Sequence, residues 1–163
     1  MSVIDELVRN NVAYSAQFAG ELPSKPAKGL VVLTCMDARL DVHGMLGLVD
    51  GDAHVLRNAG AAVTDDVIRS LAVSQRLLGT SGILVISHTD CRMRAFSDHD
   101  FRVDLEEETG SRPPWPPEEF RDPEADVRAS IARIRDSSFV PHTESVRGFV
   151  FDVGTGLLGE VTL

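Results

Sequence analysis

Two stretches of the chain are apolar almost without interruption and of strand length: Gly29-Leu30-Val31-Val32-Leu33-Thr34-Cys35 and Gly82-Ile83-Leu84-Val85-Ile86-Ser87-His88. A run with no polar face suits a strand buried on both sides, as in a parallel sheet. Asp52 to Arg57 reads as a shorter strand between them. After it the period becomes helical, from Thr64 to Leu78: Val67, Ile68, Leu71, Ala72 and Leu78 line one side. Thr64 is placed to cap this helix, Asp65 and Asp66 suit its first turn, and Gly79 stops it. Buried strands alternating with helices predict an α/β fold with a mostly parallel central sheet.

The flanks read as follows. Ser2 to Phe18 predicts a helix, with Ser2 and Asp5 spaced as a capping box and Gly20 and Pro23 to Pro26 ending it. Its apolar stripe (Val3, Leu7, Ala13, Tyr14, Phe18) is thin for a helix lying on its own domain, which points to a partner subunit. Ser97 to Gly110 predicts a charged helix and Glu124 to Asp136 another; the proline-dense Arg112 to Pro117 between them is a stiff connector, with Trp115 packing on the surface. Val146 to Val153 and Leu157 to Leu163 alternate around Gly154-Thr155-Gly156, as in a β-hairpin on a sheet edge. No repeat or linker interrupts the pattern, so residues 1–163 are expected to form one domain.

Composition narrows the functional classes. Of 163 residues 43% are hydrophobic and 25% charged, which is globular rather than disordered. No apolar run reaches the roughly 20 residues that span a bilayer, and the start of the chain lacks the basic and apolar regions of a secretion signal. A soluble, cytoplasmic protein is expected. The net charge of −9 argues against a nucleic-acid partner, because phosphate backbones are gripped by basic faces. There are two cysteines, Cys35 and Cys91. A disulfide between them would staple a chain that already has enough core, in a reducing compartment. Two thiols can be inert core residues or ligands of a metal.

Their neighbours bear on that choice. The first long strand delivers Cys35-Met36-Asp37-Ala38-Arg39 and the second His88-Thr89-Asp90-Cys91. In open α/β sheets, sites form beyond the carboxyl ends of the strands. If these strands are neighbours, Cys35, His88 and Cys91 converge as a Cys2His set, a known catalytic zinc sphere with one open position. His43, His54, His99 and His142 sit in no ligand-like spacing. On an extended segment Cys35, Asp37 and Arg39 would face one cavity. There an ionised Asp37 could orient a zinc-held hydroxide and Arg39 could pin that carboxylate bidentately. An ordinary surface ion pair fits the same spacing.

Cys35-Met36-Asp37-Ala38-Arg39, Arg57-Asn58-Ala59-Gly60 and His88-Thr89-Asp90-Cys91, in this order, resemble the signature of the β-class carbonic anhydrases. The likeness is strongest from Val31 to Met93. It extends to the compact mycobacterial-type branch through Thr64 to Leu71 and Arg147 to Asp152. The resemblance implies a mostly parallel sheet flanked by helices. It implies one zinc ion per subunit on Cys35, His88 and Cys91, and Asp37 with Arg39 as the catalytic dyad. In some members the Asp of the dyad closes the zinc site at lower pH. A homodimer embraced by the N-terminal helix is implied, with pairing into tetramers left open. The reaction would be reversible hydration of carbon dioxide to bicarbonate by zinc-bound hydroxide, with Ala59, Gly60 and Val63 as candidates for an apolar CO₂ pocket. Two positions depart from the family: Ser87 and Arg92 stand where glycines are usual beside the ligands. Hydrolysis of carbonyl sulfide or carbon disulfide at the same zinc site is one rival reading. A zinc-binding or regulatory homologue without activity is another.

Overall fold

The computed structural model describes residues 2–18 and 20–163. The two long apolar runs form β1 (Leu30–Cys35) and β3 (Gly82–His88), and the shorter one forms β2 (Ala53–Asn58). With β4 (Ser145–Phe151) and β5 (Leu158–Glu160) they make one sheet in the order β2-β1-β3-β4-β5. All pairings are parallel except β4 with β5, which is the predicted hairpin at the edge. The chain runs from β1 outward to β2 on one side and then crosses to β3 on the other. The order therefore reverses between β1 and β3, and a crevice opens at their carboxyl ends.

Side chains alternate across the sheet, so each apolar strand feeds two cores. Val31, Leu33, Ile83 and Val85 pack with Val67 and Leu71 of α3 (Asp65–Leu78) and with Val127, Ile131 and Ile134 of α5 (Pro123–Asp136). Val32 and Ile86 point the other way, onto Val42 of α2 (Val42–Leu46) and Leu48. Burying one such aliphatic side chain contributes about 1.5–3 kcal/mol, and this double-sided core fixes β1 and β3 firmly. The close fit of α5 on β4 requires Gly148, where a Cβ would collide with Val127 and Ile131.

Capping agrees with the sequence pattern. Thr64 Oγ1 accepts from the Val67 N–H and Gly79 ends α3. Ser97 and Gly110 bound α4 (Asp98–Thr109), which buries no residue. The turn of α2 was not anticipated, although Asp41 caps it through the Gly44 N–H and Gly47 closes it. Five residues are too few for a periodicity to show.

The N-terminal helix α1 (Val3–Ser15) has the predicted capping box, with Ser2 and Asp5 reciprocally bonded. It stops three residues short of Phe18. Gln17 and Phe18 instead donate to the carbonyls of Tyr14 and Ser15 in tighter turns. No residue of α1 is buried; Val3, Ile4, Leu7, Val8 and Val12 are 61–72% exposed. Among the described residues no helix is long and apolar enough to cross a membrane.

Candidate metal centre

Register brings the ligand candidates together. Thr34 of β1 pairs with Ile86 of β3, so Cys35 and His88 leave adjacent strands at the same end of the sheet. The Sγ atoms of Cys35 and Cys91 and a ring nitrogen of His88 lie within 4.8 Å of one another, and all three residues are buried. Both cysteines are free thiols.

Each donor is aimed by its surroundings. His88 Nδ1 lies 2.8 Å from the Thr89 carbonyl, which fixes the proton on Nδ1 and leaves Nε2 with its lone pair. Nε2 is buried and has no hydrogen-bond partner. An orphaned buried nitrogen facing two sulfurs is what a metal ligand looks like without its ion. The Cys91 thiol, hydrogen-bonded to Cys35, pulls the Cys35 pKa far below the thiol range, while the same contact pushes Cys91 up. Backbone N–H groups of Asp37 and Gly60 also favour the Cys35 thiolate. A buried set of two sulfurs and one imidazole nitrogen suits a soft divalent cation with one position open.

Asp37 borders the cluster, its Oδ2 3.8 Å from His88 Nε2. Arg39 grips it bidentately: Nη2 donates to Oδ2 at 2.7 Å and Nε to Oδ1 at 2.9 Å. That pairing drives the Asp37 carboxyl well below the usual carboxylate range, so it is ionised at any physiological pH. The route to this geometry differs from the extended segment expected. The chain turns at once, Leu40 N–H donating to the Asp37 carbonyl and Arg39 N–H to Asp37 Oδ1. The turn, not strand alternation, brings the two side chains together.

Two further residues hold the site and were not singled out from the sequence. Arg57 Nε donates to the Cys35 carbonyl at 3.0 Å and its Nη2 to the Asp37 carbonyl at 2.6 Å, clamping the first ligand loop. Asp90 receives Arg39 Nη1 at 2.8 Å. Both lie inside the quoted motifs, but only the folded loops reveal whom they touch. The four other histidines lie outside the cluster.

The two departures from glycine carry no backbone strain. Among the described residues, positive φ occurs at three non-glycine positions, Ala61, Asp90 and Glu118, and so at neither Ser87 nor Arg92. Ser87 is buried in the strand with its hydroxyl unpartnered, and Arg92 is exposed in a short 3₁₀ turn. Of the residues expected to form an apolar pocket, Gly60 and Val63 line a cavity of about 120 Å³. Its other walls include Glu118, Asp126, Ser130 and Arg133; neither Ala59 nor any residue of the Cys35–His88–Cys91 cluster is on its lining.

A parallel sheet that presents a Cys2His donor set and an Asp–Arg pair at its switch point defines a metalloenzyme scaffold. The carbonic anhydrase family model matches residues 30–110, and the chain belongs to the β-class carbonic anhydrases. It is 56% identical to Beta-carbonic anhydrase 1 of Mycobacterium tuberculosis, with 99% of each chain covered. The crystal structure of carbonic anhydrase from Streptococcus mutans superposes with a TM-score of 0.92 at 41% identity, covering 99% of each chain. Carbon disulfide hydrolase of Saccharolobus solfataricus shares 43% identity over 94 residues, 58% of this chain and 45% of that protein.

Proposed function

We propose that the protein is a zinc-dependent carbonic anhydrase that hydrates carbon dioxide reversibly to bicarbonate and a proton. The observation that carries this reading is the buried trio of Cys35, His88 and Cys91, with its orphaned Nε2, beside an Arg-locked Asp37. These three residues would hold the ion, one per subunit. Bound zinc acts as a Lewis acid that brings a water's pKa down to about 7. Asp37 would accept a hydrogen bond at a carboxylate oxygen from the reacting water and so orient its lone pair. Arg39 keeps Asp37 ionised and aimed. Gly60 and Val63, with Ala59, form the nearby surface against which an uncharged substrate rests.

A cytoplasmic location is part of this proposal: a reducing poise there would keep Cys35 and Cys91 as thiols. A homodimer is supported by α1, whose apolar side chains need a second copy to cover them.

Stopped-flow CO₂ hydration across pH, on protein of measured zinc content, tests the proposal, with sulfide release from carbon disulfide assayed in parallel. Hydration with one zinc per chain is expected, without sulfide release. Asp37→Ala should retain zinc and lose about 10²–10⁴-fold in kcat. Near-normal turnover in that variant removes the dyad from the mechanism. Stoichiometric zinc without hydration in the wild type at alkaline pH overturns the enzyme reading.

A further inference from the structure

We propose that Asp90 is a positioning residue for the Asp37–Arg39 pair, a role that rests on the carbonic anhydrase reading. Arg39 lies between the two loops that carry the ligands. Towards its own loop it gives Nε and one Nη2 hydrogen to Asp37. Towards the other loop it gives Nη1 to Asp90 Oδ2 at 2.8 Å and its second Nη2 hydrogen to the Asp90 carbonyl at 3.0 Å. Four of the five guanidinium hydrogens are thus spent on two residues from two loops.

The geometry matters because Asp37 and Arg39 are only two residues apart in one turn. A bidentate pair within one turn fixes its internal arrangement but can swing as a unit. Asp90 sits between His88 and Cys91, so its contacts tie that unit to the strand end bearing the other two donors. The pair becomes a brace across the mouth of the site. The Asp90 backbone is shaped for this, with φ at +54°. Left-handed backbone is uncommon for a residue other than glycine, and aspartate is among those that tolerate it best. In that conformation the carbonyl and the carboxylate of one residue both reach Arg39. Arg39 remains half exposed and Asp90 largely so. Its worth therefore lies in orientation more than in stability.

The test compares Asp90→Gly, which keeps the left-handed backbone and deletes the carboxylate, with Asp90→Asn, which keeps an acceptor oxygen. Asp90→Gly is expected to lower kcat for CO₂ hydration about tenfold with KM and zinc content unchanged, and Asp90→Asn to recover most of the loss. In the Arg39→Ala background, Asp90→Gly should have no further effect on kcat. In metal-free protein the Arg39 Nη1–H signals should exchange with solvent faster in Asp90→Gly than in wild type. Wild-type kcat in Asp90→Gly, a loss that follows zinc content, or the same loss without Arg39 overturns the proposal. Failure of the wild-type enzyme to hydrate CO₂ instead sinks the parent reading, and the Nη1–H exchange then decides alone whether the Asp90 carboxylate holds Arg39.

Discussion

The ends of β1 and β3 and the helix α1 obtain their order from opposite sources. At the strand ends every main element is fixed from within the chain: mostly apolar strands between two cores, a clamp from Arg57, and an Arg39 bridge between loops. In α1 local signals suffice to make a helix, yet it buries nothing against its own chain. A capping box stabilises a helix start by roughly 1 kcal/mol, which cannot hold a 13-residue helix in water without packing. The lesson is that strong local patterning and tertiary anchoring are separable. The first region carries both, while the second is tied to the domain by an exposed hydrogen bond from Tyr14 Oη to Asp50 Oδ2 and buries no side chain.

The sharpest way to break the comparison is Cys91→Ser. Loss of metal binding and of hydration to background is expected while the sheet persists by circular dichroism. If the sheet melts, the strand ends depend on the metal and the contrast with α1 is weaker than drawn. A smaller effect is expected from Leu7→Asp with Val12→Asp. Size-exclusion with light scattering should show loss of the proposed dimer, while each chain keeps its zinc. A dimer that survives shows that another surface holds it.

The smallest effect concerns the cavity behind Gly60. Burial, reinforced by Glu118, raises the Asp126 pKa to about 6. A carboxyl raised in the fold is favoured while protonated, so its burial costs nothing below pH 4 and the full penalty applies above pH 6. Asp126→Asn should raise Tm by about 2–4 °C at pH 8 and leave it unchanged at pH 4. Equal Tm at both pH values would mean that the carboxylate is already compensated.

Much of this was legible in one dimension. The predicted span of β3 and the caps of α3 coincide with those in the structure because burial on both faces and capping are written in consecutive residues. The approach of Cys35 to His88 and Cys91 followed from expecting adjacent strands. Other features were hidden. The turn that joins Asp37 to Arg39 was read as extended chain, although Asp37, whose carboxylate accepts from the Arg39 N–H two residues on, is a turn-forming residue. Arg57 and Asp90 lay inside the motifs without a visible task, because their partners are 20 and 51 residues away. The polar walls around Gly60 and Val63 come from α5 and the preceding loop, which no spacing near residue 60 could announce.

The sequence by itself determined the longer elements, the strand ends that carry chemistry and the family, since periodicity, caps and short motifs are local properties of the chain. Only the tertiary structure decided which hydrogen bonds aim the ligands, that Arg39 spans both loops, and that α1 is left uncovered. Those are contacts between distant segments, and they exist only once the register of β1 on β3 brings the two loops face to face.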